Sequence, residues 1–243
     1  MFEAIRALLQ FTTVLPLGKT APFEAFAHNT WLYPLAGYIT GGMGAIIILL
    51  LPAPSLVLAV MAIGMVLLIS GANHLDGLLD FGDGLMAHGS QEKRIQALTD
   101  RQIGTGALTL GMMVTLLAIA SLSSFPDILT AASALIFAET GGKWSMAILT
   151  IFGRPFHEGL HATLHERAKI WFVIPATLLL IPAFLLPLSW EAKGAAGIGL
   201  ILLPFGMRYL ADRLFGGVNG DVTGATGEIS RCALLTLLVI TLF

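Results

Sequence analysis

The chain has 243 residues, 56% of them hydrophobic and only 12% charged, and its mean hydropathy is +0.85. Soluble domains carry about 25% charged residues, and a water-soluble fold of this size leaves too much surface exposed to hide so much apolar material, so lipid has to cover the remainder. A net charge of −2 offers no field for nucleic acid, and the single cysteine, Cys232, excludes a disulfide framework or a cysteine-based zinc site.

In chain order, Phe2–Phe11 sets Ile5, Leu8 and Leu9 around Arg6 and predicts an interfacial helix. Glu3 and Arg6 inside it argue against a cleavable signal. Residues 29–73 carry no charge and divide at Pro52-Ala-Pro54, which predicts two spans, 31–51 and 55–73, each near the about 20 residues a bilayer needs. Further spans are expected at 102–126, at 128–152 (interrupted by Glu139 and Lys143), at 170–190 and at 194–212, with a short last one at 229–243. Segment 90–102 reads as a surface helix with Ser90 as N-cap, Glu92 in the first turn and Ile95 and Leu98 on one face. The expected architecture is an all-α polytopic membrane bundle of about seven spans forming one domain, with an N-terminal interfacial helix and cytoplasmic acidic loops.

Orientation follows from the basic residues near span ends. With the N-terminus inside, Arg6, Lys19, Lys93, Arg94, Arg101, Arg154, Arg167, Lys169, Arg208, Arg213 and Arg231 fall at or near the cytoplasmic face, and only Lys193 falls outside. A multi-pass protein of the cytoplasmic (inner) membrane is the expectation.

The charges collect in one place. Eight of them lie within 74–105, which opens NHLDGLLDFGDGL. Asp76, Asp80 and Asp83 are spaced i, i+4, i+7, so a helix would put the three carboxylates on one face. Such an arrangement persists when a cation sits among them, and Mg²⁺ takes one or two carboxylates while keeping places for water and phosphate oxygens. Gly77, Gly82 and Gly84 count against that helix. A second acidic segment, GGVNGDVTGATGE, carries Asp221 and Glu228 on the same predicted side. Two glycine-loosened loops at one face would close on a metal-bound diphosphate. Arg101, Lys93 and Arg94 are the candidate phosphate-neutralising residues, and Asn219 and His74, within the two acidic segments, complete the candidate substrate-binding set.

Two other features need an account. His157-Glu158-Gly159-Leu160-His161 matches the H-E-x-x-H zinc motif, with His165 as a third ligand, and Leu75-Asp76-Gly77 matches a motif of intramembrane metalloproteases. Here the L-D-G comes first, the histidines sit in an interfacial loop, and Gly159 interrupts the motif; histidines beside lipid headgroups are the simpler expectation. Glu139 and Lys143, spaced i, i+4, predict an ion pair within one helix, and Cys232 predicts packing.

Six segments in order, RALLQFTTVLPLG, WLYPLAGYITGG, HLDGLLDFGDGL, TDRQIGTGAL, GRPFHEGLHATL and GGVNGDVTGATGE, resemble the cobalamin synthase family of adenosylcobinamide-GDP ribazoletransferases. The resemblance runs through most of the chain and makes the H-E-x-x-H match look accidental. It implies the last assembly step of the nucleotide loop of vitamin B12: the ribose 3′-hydroxyl of α-ribazole, or of its 5′-phosphate, attacks adenosylcobinamide-GDP and GMP leaves, with Mg²⁺ expected. On that reading Asp76, Asp80, Asp83 and Asp221 hold the metal and either Asp80 or Glu228 accepts the hydroxyl proton. The partners are then the two substrates and the lipid bilayer, and a homo-oligomer stays open. Three other classes compete. A CDP-alcohol phosphotransferase would show D-G-x-x-A-R where this chain has D-G-L-L-D, and an aromatic prenyltransferase would carry Asn-Asp-x-x-Asp. A transporter would place its acids near the midplane of several spans, and the zinc protease is the third class.

Overall fold

The computed structural model describes residues 1–242 as helices joined by short connections, with no strand among the described residues. Helix α1 is Phe2–Thr12 and α2 Phe23–Ala27; a 3-10 turn, Thr30–Leu32, leads into α3, Tyr33–Leu50. Then follow α4 (Ser55–Ile69), α5 (Asn73–Met86), α6 (Gln91–Leu98), α7 (Thr105–Ser123) and α8 (Ile128–Phe152). The chain closes with α9 (Leu160–Arg167), α10 (Val173–Leu178), α11 (Ile181–Phe184), α12 (Trp190–Phe215) and α13 (Gly220–Ile240).

Four of these are long and apolar enough to cross a membrane, Thr30–Leu50, α7, α12 and α13, and six segments qualify if each of two sharply bent helix pairs counts as one. The expected count of about seven includes 128–152 as well, which is α8. The 25 residues of α8 exceed a bilayer's thickness at 1.5 Å each, yet α8 is not among the apolar spans, because Glu139, Lys143 and a run of Gly, Ser and Thr dilute it. It is instead the centre of the bundle, buried almost continuously from Ala131 to Ile151, with α3, α12 and α13 around it. Small residues make this possible. A Cβ on Gly37 would lie 2.5 Å from Thr140 Cα, and one on Gly142 would lie 2.8 Å from the Gly227 carbonyl oxygen. In lipid, where apolar burial between helices gains little, such close backbone approach is what holds spans together. Large apolar side chains on the outer faces, including Leu68, Met113 and Leu202, are exposed and face lipid.

Three departures from the expected bounds have plain causes. The span expected at 170–190 is broken into α10 and α11. Pro182 and its neighbours cannot continue the hydrogen-bond ladder, and the Tyr38 hydroxyl fills the gap, donating to Leu179 O at 2.8 Å and accepting from Ala183 N at 3.0 Å. The second predicted span, 55–73, ends early: α4 stops at Ile69, and α5 leaves it at 95° through Gly71 and Ala72, both at positive φ. The last span is longer than expected, because the glycine-rich stretch before it is helical from Gly220. The interfacial helix and the surface helix after Ser90 form where predicted, as α1 and α6. The aromatic rings of Phe11, Phe23, Phe26 and Tyr33 pack α1 and α2 onto the start of α3.

Candidate active site

The two acidic segments meet at one end of the bundle, where α5 lies across the beginnings of α7 and α13. The three glycines of α5 that weaken the helix prediction are its packing surface. A Cβ on Gly77 would stand 2.8 Å from Asp221 O, one on Gly82 would stand 2.7 Å from Gly106 O, and one on Gly84 would press on Leu98 and Phe215. Gly224 of α13 in turn lies against His74 Cα. The pairs Gly77 with Asp221 and His74 with Gly224 run in opposite chain directions, so α5 and the first turns of α13 are antiparallel neighbours. With every glycine turned inward, the opposite stripe of α5 holds Asp76, which is exposed, and Asp80, which is half-buried.

Asp221 is placed by its own helix end. Asn219 is the N-cap of α13: its Oδ1 accepts from Val222 N at 3.0 Å and its Nδ2 donates to Asp221 Oδ2 at 2.7 Å. A short backbone bridge between Pro155 and Val218, with Val218 N donating to Arg154 O at 2.8 Å, brings the loop after α8 alongside. No Lys or Arg forms an ion pair with Asp76, Asp80 or Asp221 among the described residues. Burial, followed by the charges of Asp221, Asp76 and Asp83, pushes the Asp80 carboxyl up to about 7. Asp76, Asp83 and Asp221 therefore all act on Asp80 with no Lys or Arg paired among them, and His157 is the basic side chain whose charge reaches Asp221.

Several expected site residues do other work. Asp83 accepts from Gly104 N at 2.7 Å and Ala107 N at 2.9 Å, one on each oxygen. It caps the start of α7 from a different helix, satisfying two of the N–H groups a helix end leaves open, a structural role the sequence did not announce for this expected metal ligand. Arg94 Nη1 donates to Leu85 O at 2.8 Å and to Gly84 O at 3.3 Å, so it closes the end of α5. Lys93 and Arg101 are exposed, and Arg101 makes no ion pair. His74 is buried and shares a 3.0 Å contact between its Nδ1 and Lys143 Nζ, tying α5 to α8.

Glu228 is engaged as well. It is 2% exposed and lies two turns inside α13, where both of its oxygens are taken by Arg231. The same guanidinium donates to Glu139 Oε1 at 3.1 Å, and Thr40 donates to the other Glu139 oxygen. Glu139 thus pairs across helices with Arg231, and Lys143 with His74, in place of the expected pair within α8. Arg231, counted above among the residues at the cytoplasmic face, is fully buried in this network. Sequence reasoning missed it because a basic residue near a span end reads as an anchor until its partners are located.

The H-E-x-x-H match dissolves in the same way. His161 Nε2 contacts Gly153 O at 2.9 Å and His165 Nδ1 contacts Thr150 O at 2.9 Å, so both histidines serve the free carbonyls at the end of α8. His157 is exposed. Among the described residues no three His, Cys, Asp or Glu side chains converge to hold a metal ion by themselves.

Two cavities flank the carboxylate stripe. One of about 210 Å³ lies between α1, α3, α8, α9 and the start of α13, with Asp221, Asn73 and His161 among its lining residues. The other, of about 370 Å³, lies at the far end of α5, against Asp83, Asp100, Gln102 and Gly104. His74 lines the first and Asp83 the second, so about 14 Å of α5 separates the two cavities.

Residues 4–239 match the family described as cobalamin-5-phosphate synthase. An adenosylcobinamide-GDP ribazoletransferase of Methanococcoides burtonii is 33% identical, covering 98% of this chain and 92% of the relative. One of Halorubrum lacusprofundi is 34% identical, over 97% of this chain and 96% of the relative. One of Thermococcus kodakarensis is 32% identical, over 97% and 98% respectively. No solved structure matches this chain. A match that begins in α1, ends in the last turn of α13 and takes in both acidic helices places this chain in the cobalamin-5-phosphate synthase family.

Proposed function

We propose that this protein joins α-ribazole, or its 5′-phosphate, to adenosylcobinamide-GDP and releases GMP, with Mg²⁺ held at the α5–α13 junction facing the cytoplasm. The observation that carries the reading is the approach of two acidic helices, whose carboxylates Asp76 and Asp221 act on Asp80 between them while neither Lys nor Arg pairs with any of the three among the described residues. The names of the full-length relatives supply the substrates.

That donor set fits a hard divalent cation. Oxygen ligands suit Mg²⁺, and a site offering one or two carboxylates leaves the remaining positions for water and phosphate. Asp76 and Asp221 would hold the ion. When bound it would supply charge neutralisation for the diphosphate of the donor and for the departing phosphate.

The rest of the work falls to the chain. Asp80 is set between Asp76 and Asp83 on one helix, and its carboxyl sits near 7. Part of that shift comes from Asp76 and Asp221, whose charge a bound cation would offset, so the role rests on position: Asp80, one turn along α5 from Asp76, would take the proton of the attacking ribose hydroxyl. The bond that forms joins the ribose oxygen to the phosphorus on the cobinamide side, the bond that breaks is the diphosphate bridge, and the bridging oxygen leaves with GMP. The rigid seating of α5 by Gly77, Gly82 and the Asp83 cap keeps these groups in register, which is where positioning gains its rate. Arg101, exposed and unpaired near the second cavity, is suited to neutralise phosphate charge.

The test is GMP release by the full chain in lipid vesicles. Release should require both α-ribazole and Mg²⁺; turnover that persists in EDTA overturns the metal, and failure to release GMP with all components present overturns the reaction.

A further inference from the structure

The geometry points to the cavity of about 210 Å³ beside Asp221 as the seat of the acceptor's aromatic base, with the donor held outside it. This rests on the proposed reaction and goes beyond it by assigning the acceptor a place.

Size excludes the alternatives first. A corrin ring with its side chains is many times larger than a cavity of this volume, whereas one fused aromatic bicycle fits. The lining then separates the two bases that the reaction offers. Guanine presents several donors and acceptors along its edges, each of which needs a partner when buried. Of the polar lining, His74 is engaged with Lys143, and His161 and Thr223 with each other and with backbone carbonyls, which leaves Asn73 and Asp221 to meet such a rim, while Phe11, Tyr33, Met146 and Leu164 supply flat and adaptable hydrophobic contacts. An alkyl-substituted benzimidazole carries most of its surface as hydrocarbon and matches it.

Asp221 marks the side where the sugar has to be. Asp221 belongs both to this cavity and to the group of carboxylates around Asp80. A ribose attached to a base seated against Leu164 and Tyr33 leaves the cavity at Asp221, which puts its hydroxyls among the carboxylates. The imidazole of His161 is already held between Gly153 O and Thr223 Oγ1, so this wall is fixed before ligand arrives. The cavity at the far end of α5, lined by Asp83, Asp100 and Gln102, is the more polar and larger of the two and stays available to the donor nucleotide.

The experiment narrows the cavity and reads the two substrates separately in the full chain in lipid vesicles. Leu164→Trp fills it from a buried position, and Leu160→Trp, at its 46% exposed rim, does so with less risk to folding. Each variant should raise KM for α-ribazole by about tenfold or more, equivalent to about 1.4 kcal/mol, while KM for adenosylcobinamide-GDP stays within about twofold and kcat at saturating α-ribazole is retained. Calorimetric titration of α-ribazole alone should show the same weakening. If the wild-type protein transfers α-ribazole and the Leu160→Trp variant leaves its KM unchanged, the assignment fails while the reaction stands. A rise in KM for adenosylcobinamide-GDP instead gives the cavity to the donor and also overturns the assignment. A wild-type protein that transfers nothing overturns the reaction itself.

Discussion

Gly77 lies so close to Asp221 that any Cβ on it would stand 2.8 Å from the Asp221 carbonyl oxygen and 2.9 Å from its Cα. Neither atom can move aside without shifting a helix, so the separation of the two acidic segments is set by the absence of a side chain. Gly77→Ala should therefore lower turnover at least about tenfold by parting α5 from α13, with a stability loss of about 1–3 kcal/mol, as overpacking generally costs. Gly42→Ala, where nothing lies within 4 Å, should leave activity unchanged. Steady-state assays and thermal unfolding of both variants check this.

Asp80 and Asp83 are three residues apart and should answer differently to the same change. Asp80→Asn should abolish turnover with the folded protein intact. Asp83→Ala removes the acceptor for Gly104 N and Ala107 N and should destabilise by about 1–3 kcal/mol through the lost cap. The surviving folded fraction should keep its Mg²⁺ dependence, and a lost Mg²⁺ response in Asp83→Ala would return that residue to the metal site.

The pH dependence of the metal-free protein has a defined sign. Asp80 is raised from 3.8 to about 7, first by burial and then by Asp221, Asp76 and Asp83. The folded chain thus binds this proton more tightly than the unfolded one, so its contribution is fully present below about pH 4 and is lost as pH rises through about 7. Unfolding temperature in EDTA should fall over that window, and Mg²⁺ held by Asp76 and Asp221 should offset the loss at pH 8, where it relieves their repulsion with ionised Asp80. An unfolding temperature that is flat in EDTA and indifferent to Mg²⁺ contradicts the arrangement.

Arg231 holds two carboxylates, Glu139 and Glu228, in a buried place. Arg231→Met strands both charges and should destabilise by about 3–5 kcal/mol. Replacing all three members with Leu, Leu and Met removes their charges together and should recover part of that loss, short of the cost of leaving buried Lys143 with His74 alone. Thermal unfolding in detergent of the single and triple variants separates a network kept for its geometry from one kept for its charge.

His157 and His161 part company in the same assays. His157→Ala should change neither stability nor activity. His161→Ala frees Gly153 O and loosens α9 from α8, for a loss of about 1–3 kcal/mol. A zinc-selective chelator should have no effect on either protein; inhibition by one would reopen the zinc motif.

Composition and hydropathy determined the class of this protein outright, because 56% apolar residues and a handful of charges leave no water-soluble solution for a chain this short. The spacing of Asp76, Asp80 and Asp83 likewise put carboxylates on one face of α5, since helical periodicity is a local property. Only the tertiary structure decided which of them are available. Asp83 and Asp80 look alike in sequence, yet one meets the open N–H groups of α7 and the other meets none, and that depends on where a helix some twenty residues away begins. Arg231 and Glu228 were misplaced for the same reason: an ion pair is a relation between helices, and hydropathy sees one helix at a time. The glycines carry the lesson most plainly. Along the chain they subtract from helix propensity, whereas in three dimensions their missing side chains are what lets α5 and α13 bring Asp80 and Asp221 together.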